Sequence, residues 1–537
     1  TSFYQWSYTF GGSGSNSIRD IKADNAGNVY IAATISGGSA ISVNPSTYTP
    51  LSLPGSNDAI FIKYDGTKAT NDPAFYKWAF VLGGPGSDFG TNIIPDSAGN
   101  VYIGAGLAGT TAIDINPTTD SLKLTPASTQ SDELIAKYDG TLTPSNTSFF
   151  KWGFLNSGTG NEQPSTFNLG ANNSLYVSGY FSSATDFDPS TNTNSLTPTG
   201  SSLDAHITKY NLNVPPTDTG FHQWSMQLGN SVNQEIIKQI SFNSAGHMYV
   251  LAEINGSAAL DMDPSTNTSN LSGATTLWHA VACYDANLPY TNTGFYKWAF
   301  NVGGVTRIYG MGLNNNNMTL AGYFSNSVSA GSIVTVDFQP GAGLYSMLSA
   351  RNGSSSSAFI ARYVDGVIWT GANSNNWNTA GNWSANSVPT STQYAYIPAT
   401  GVTNEPTISS NNTIFGLAID TGRTLTINSG NTLTVTNTLS NNSTITGAGK
   451  ISLSGTQIQY ISGRGNISNL QLNNGAGAVM TDTQRITDTY TPTNGTLTTG
   501  GFLTLKSTAT GTARIAAGNG AGGYISGVVN TERYIPG

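Results

Sequence analysis

At 537 residues the chain exceeds what one hydrophobic core supports, so two or more domains are expected. Charged residues are only 9 %, while hydrophobic residues reach 38 % and aromatics 10 %. That balance excludes a disordered acidic chain and fits many short strands joined by Gly- and Asn-rich turns. Residues 370–537 hold five acidic and seven basic side chains, so the net charge of -8 divides into +2 there and -10 before it. An acidic first domain argues against nucleic acid as a partner, which wants a basic stripe. No segment approaches the roughly 20 apolar residues of a membrane span, and no signal peptide is visible, so a mature or trimmed form is expected. The single cysteine, Cys283, excludes an internal disulfide framework and reads as a small buried residue.

From the first residues the chain repeats. Trp6, Trp78, Trp152, Trp224 and Trp298 recur at intervals of 72, 74, 72 and 74, each behind a lead-in such as Phe75-Tyr76 or Phe149-Phe150. Apolar residues then alternate, as in Trp78, Phe80 and Leu82, which marks a strand with one buried face. A hairpin comes next: Asp24-Asn-Ala-Gly-Asn-Val-Tyr30, then Asp96-Ser-Ala-Gly-Asn-Val-Tyr102, with later copies at Asn172, Asn243 and Asn314. A last strand carries Tyr64, Tyr138, Tyr210, Tyr284 and Tyr363. Four strands per unit make the blade of a β-propeller. Residues 1–366 therefore predict five blades of about 73 residues, with residues 3–10 closing the last blade as its missing strand. The Trp-x-Phe-x-x-Gly-Gly strand, the Asp-x-x-Gly-Asn-Val-Tyr hairpin and the Lys-Tyr-Asp strand resemble SBBP-type propeller repeats of secreted bacterial proteins. That family is described as seven-bladed, whereas five units are counted here.

Each repeat also carries an Asx-x-Asx-Pro phrase: Ser42-Val-Asn44, Asp114-Ile-Asn116, Asp186-Phe-Asp188, Asp261-Met-Asp263 and Asp337-Phe-Gln339. Clustered oxygens suit calcium, and Asp186, Asp188, Asp261 and Asp263 are the candidate ligands. The copies favour turns that satisfy their own loop amides, because one lacks any carboxylate and calcium needs six to eight oxygens. No cofactor is otherwise expected.

Beyond residue 366 the texture changes. Trp369, Trp377 and Trp383 fall within residues 367–400, where they read as a cap over the next domain or, alternatively, as a platform for stacking glycan rings. From about residue 415 apolar pairs recur every six to eight residues, among them Leu417/Ile419, Leu425/Ile427, Leu433/Val435 and Ile451/Leu453. Three short strands per coil of about 20 residues predict a right-handed parallel β-helix over residues 401–537. Trp369-Thr-Gly-Ala, Asn382-Trp-Ser, the Thr-Leu-Thr-Ile and Thr-Leu-Thr-Val repeats and Glu532-Arg-Tyr-Ile-Pro536 resemble cell-surface and secreted proteins of Bacteroidetes-type bacteria that use type IX secretion. The resemblance implies export across the outer membrane. It also implies that the secretion machinery is a partner, through a C-terminal sorting domain beyond Gly537.

Catalytic patterns are sparse. The four histidines, His206, His222, His247 and His279, show no zinc spacing, and no Gly-x-Ser-x-Gly elbow or phosphate loop occurs. Most propeller carboxylates sit at repeat-equivalent positions instead of facing one another as a glycosidase pair. The reading is a non-catalytic extracellular protein acting in adhesion, with surface glycans or proteins as partners. The alternatives are a subunit of an extracellular filament or sheath and a polysaccharide-active enzyme.

Overall fold

A computed structural model describes residues 4–537 except 38–39, 201, 274–276, 303–305, 315–316, 326–334, 338–345, 349–355, 365, 385, 510, 519–521 and 536–537. The chain divides into two compact units, with the main break between Ala361 and Arg362. The first unit is a five-bladed propeller. Its first blade orders the antiparallel strands Ser17–Ala23, Asn28–Ser36, Asn57–Asp65 and Tyr76–Leu82 side by side, and the next three blades repeat that order. Among the described residues the sheet of the fifth blade has three strands, Thr306–Asn314, Asn317–Ser325 and Ser356–Val364.

The repeated residues explain the repeated shape. Asp24 Oδ1 accepts from the amides of Ala26 and Asn28, and Oδ2 accepts from the Tyr30 hydroxyl; Asp96 does the same for Ala98, Asn100 and Tyr102. The turn needs a left-handed residue, supplied by Gly27 and Gly99 and, in the third blade, by Asn172 and Asn173 at φ 58° and 53°. Each outer strand reaches into the following blade. Trp78 donates Nε1 to Gly140 O at 3.2 Å and packs edge-on against Phe149. Half-buried side chains on the innermost strands bridge neighbours as well: Ile93 N donates to Asp20 Oδ2, Asn168 Nδ2 to Ile240 O, and Gln239 Nε2 to Met311 O.

The N-terminal segment differs from expectation. Residues 4–10 form no strand ladder among the described residues. They are held by side chains: Trp6 Nε1 donates to Gly66 O, and Trp6, Tyr8 and Phe10 pack on the first blade as an outer strand of a preceding blade would. Fifteen or sixteen residues past each tryptophan, Ile93, Phe167 and Ile240 are buried against the preceding blade, whereas Ile21 is 58 % exposed.

The second unit is a β-solenoid. Strands from Gly366–Ile368 to Val529–Thr531 form an 18-stranded sheet whose described pairings are parallel. Ala395 pairs with Leu417, Leu417 with Leu439 and Leu439 with Ile461, a coil of 22 residues; on another face Leu433 pairs with Ile451 after 18. Inward aliphatics stack into one core, as the spacing predicts. The interior also holds amides that the pattern did not signal: Asn441 Nδ2 donates to Gln484 Oε1 at 3.0 Å, with Gln484 Nε2 bonded to the Ser462 carbonyl.

Candidate functional site

The Asx-x-Asx-Pro loops turn their oxygens to their own backbone. Asp186 Oδ1 accepts from Asp188 N and Asn194 N, and Asp188 Oδ1 from Ser190 N. Asp261 and Asp263 repeat the arrangement with Asp263 N, Ser269 N and Ser265 N. The middle carbonyl of each loop is the docking point for the repeat tyrosine. Tyr64, Tyr138, Tyr210 and Tyr284 donate to Val43, Ile115, Phe187 and Met262 carbonyls at 2.7, 2.6, 3.0 and 2.9 Å. This joins two motifs that the sequence showed separately. Among the described residues no three His, Cys, Asp or Glu side chains gather around one point. The fifth loop, at Asp337 to Gln339, falls partly outside the described residues.

The three tryptophans correct the stacking reading. Trp369 and Trp377 are fully buried and Trp383 is 3 % exposed, so none offers a face to a sugar. Trp369 and Trp377 lie parallel at 6.2 Å, and Trp383 meets both edge-on at 5.0 and 4.6 Å. Trp369 Nε1 donates to Asn404 O and Trp383 Nε1 to Trp377 O. The cluster continues the solenoid core at its first coils, beside Ala395, Ile397 and Ile408.

One arrangement in the propeller has the outline of a catalytic triad. His222 Nε2 lies 2.9 Å from Ser225 Oγ, and His222 Nδ1 lies 3.9 Å from Asp188 Oδ2. Ser225 is wholly buried, however, and Thr208 at 3.0 Å links it to His206, which lies 3.4 Å from Glu133. A nucleophile must meet its substrate, so this chain of contacts is a structural network within and between blades. Burial holds the His222 imidazole below its ordinary pKa, against the pull of Asp188 and Asp186.

The accessible site is a cleft of about 350 Å3 in the propeller, lined by Gln234, Ile236, Glu253, Asn255, Leu277 and Arg307. Glu253 comes from the second strand of the fourth blade and Arg307 from the first strand of the fifth. His279, fully buried, lies 3.4 Å from Glu253 Oε2; its hydrogen bond outweighs burial, and Lys238 and Arg307 add to it, so the carboxyl is held below its ordinary pKa. Two residues beyond Arg307 on the same strand is Tyr309, 75 % exposed, whose ring centroid lies 5.6 Å from that of Tyr323. The Tyr309 hydroxyl is within electrostatic reach of both Glu253 and Arg307. The repeat pattern carried one signal of this site. Four residues past the hairpin tyrosine, or the Leu320 that replaces it in the fifth blade, the other blades carry Thr34, Gly106, Tyr180 and Phe324, and only the fourth carries an acid.

A family model described as a domain of unknown function (DUF8693) matches residues 368–479, within the solenoid unit. The comparison with curated proteins gave no match. No helix among the described residues is long and apolar enough to cross a membrane.

Proposed function

We propose that this chain is a non-catalytic binding protein of the cell surface or extracellular space, exported as a type IX secretion cargo, which holds glycan in the propeller cleft. The exposed Tyr309, in ring contact with Tyr323 and on the same strand as Arg307, together with the cleft that Arg307, Glu253, Gln234 and Asn255 line, carries the reading. Aromatic faces pack against the C–H faces of sugar rings, while amide, carboxylate and guanidinium groups take up hydroxyls around them. The cleft favours binding over hydrolysis because Glu253 is the single lining carboxylate among the described residues and is held ionised, whereas glycoside hydrolysis calls for two carboxyls with one protonated. The resemblance of the second domain to type IX cargo supports export.

The test is glycan-array binding by the full chain and by Tyr309→Ala and Arg307→Ala, with reducing-end release measured on every glycan bound. The expected result is binding weakened about tenfold or more in both variants, equivalent to roughly 1.4 kcal/mol each, with no sugar released. Binding unchanged in both variants would remove the cleft from the proposal; release of reducing ends would replace it with the enzyme reading.

A further inference from the structure

Three carboxyl pairs recur around the propeller at sites that the binding cleft does not use. Asp58, Asp132 and Asp204 sit at the same place in the first three blades, and each faces an acid about 30 residues onward in the next blade: Asp88, Glu162 and Glu235. All six are 1 % exposed or less. A methyl group built on Gly83 would lie 2.5 Å from Asp58 Oδ1 and 3.1 Å from Asp88 Oδ2, so the two carboxyls of the first pair converge on one point.

Each pair sits on a seam between blades. Asp88 N donates to Asn57 O, Glu162 N to Ser131 O and Glu235 N to Leu203 O, at 2.9, 2.6 and 2.9 Å. The carboxyls bind the flanking loops in turn. Asp58 takes the Gly55 amide, Asp88 the Gly84 and Ala108 amides, Asp132 that of Ala127, Glu162 that of Gly158 and Asp204 that of Thr199.

What the pairs lack is a cation. No lysine, arginine or histidine lies within 4 Å of any of the six among the described residues, and the charged group facing each second acid is its own partner. Asp132 Oδ1 and Asp204 Oδ1 are buried and accept no hydrogen bond among the described residues. Two neighbouring carboxylates taken out of water without a cation do not both stay ionised; the stable arrangement leaves one of them protonated.

We propose that the three seams are protonated clasps, each holding a proton on its pair of buried carboxyls on the mildly acidic side of neutrality, so that the first four blades are locked together there and loosen as the medium turns alkaline. Burial, with the partner's charge added, lifts Asp88 to about 6, Glu162 to about 7 and Glu235 to about 8, and burial lifts Asp58 to about 6. Carboxyls raised in the folded state give stability that is complete below their unfolded values, near 4, and is lost as pH rises through 6 to 8. His222 works in the opposite direction, but only below about pH 6.5, and Lys63, Lys137 and Lys209, lowered in pKa by burial, oppose the loss on the alkaline side.

The test is the thermal midpoint of the full chain from pH 6.5 to 8.5, with chelator and with calcium, for the natural sequence and for the triple variant Asp88→Asn, Glu162→Gln, Glu235→Gln. The natural chain should lose on the order of 4 °C or more across this range, and the variant, left with one carboxyl in place of two at each seam, should lose less. Infrared spectra of the natural chain at pH 7 should show the carbonyl stretch of buried protonated carboxyls, fading by pH 8.5; this reading does not depend on the variant folding. A flat midpoint with no protonated-carboxyl band at pH 7 would overturn the proposal. So would a midpoint raised by calcium at pH 8 without that band, since the seams would then hold a cation in place of the proton.

Discussion

Trp377→Ala separates the two uses that three clustered tryptophans suggest. Trp377 is fully buried between Trp369 and Trp383, and its carbonyl receives the Trp383 indole N–H. Truncating a buried tryptophan to alanine costs about 3–5 kcal/mol in lost contacts and residual cavity. A solenoid is stabilised coil by coil, so most of that cost falls on the first coils. Amide exchange over residues 369–397 should therefore accelerate by roughly two to three orders of magnitude, at 1.4 kcal/mol per factor of ten. Exchange in the later coils, around Leu470 and Leu472, should change much less. Trp377→Phe should cost far less, about 1 kcal/mol. It keeps an aromatic plate and removes an indole N–H that is buried without a partner among the described residues. Hydrogen exchange with mass readout on the full chain measures all three forms. If Trp377→Ala left exchange unchanged and abolished glycan binding instead, the burial argument would fail and the stacking platform would return.

Three further outcomes are expected of the propeller. Tyr138→Phe removes the hydroxyl that holds the Ile115 carbonyl at 2.6 Å, and denaturant titration should show a loss of about 1–2 kcal/mol; no loss would mean that the tyrosine does not dock the loop. Asp186→Asn keeps the acceptor for Asp188 N and Asn194 N and should melt within about 1 °C of the natural chain, with or without calcium, whereas Asp186→Ala should lose about 1 kcal/mol. A calcium-dependent rise in midpoint that Asp186→Asn abolishes would refute the Asx-turn assignment. The buried His222 gives stability present above its unfolded pKa near 6.5 and lost as pH falls toward its lower folded value. His222→Phe, the ring type at Phe150, should therefore lessen the loss of midpoint between pH 6.5 and 5; an unchanged slope would show that another group controls it.

The repeat made most of the fold legible. Tryptophans 72 to 74 residues apart, Asp-Gly hairpins and coil-length spacing of aliphatics each state a local geometry, and periodicity adds them into blades and coils. Closure was harder to read. Residues 4–10 carry the alternation of a strand, and the structure uses that alternation to plant Trp6, Tyr8 and Phe10 on the first blade without a ladder. The tryptophans of residues 369–383 were ambiguous because composition does not say which side of a ring is wet. The cleft was invisible for a different reason: its residues come from four strands and from the approaches to them, and no spacing joins Gln234, Glu253, Leu277 and Arg307. The carboxyl clasps were half legible. Asp58, Asp132 and Asp204 recur openly, but their partners lie on the next blade, and the contact between them belongs to the fold.

These cases point to one rule for a propeller of near-identical blades. A side chain present in every blade does the same job in every blade, and here each such job is structural: Asp24 and Asp96 set hairpins, Tyr64 to Tyr284 dock loops, and Trp78 reaches the next blade. A ligand that breaks the ring's symmetry needs residues that break it too. Glu253 stands where the other blades have Thr34, Gly106, Tyr180 and Phe324, and it lines the cleft with Arg307. The clasps lie between the two cases, present at three seams and replaced at the ends of the series, where Asn16 stands in place of Asp88 and Trp278 in place of Asp58. Asn16 still caps the Gly12 amide as Asp88 caps Gly84, so the structural bond is retained where the charge is not. Loop capping alone does not call for an acid, therefore, and the second carboxyl at three seams is what a proton held by the pair accounts for.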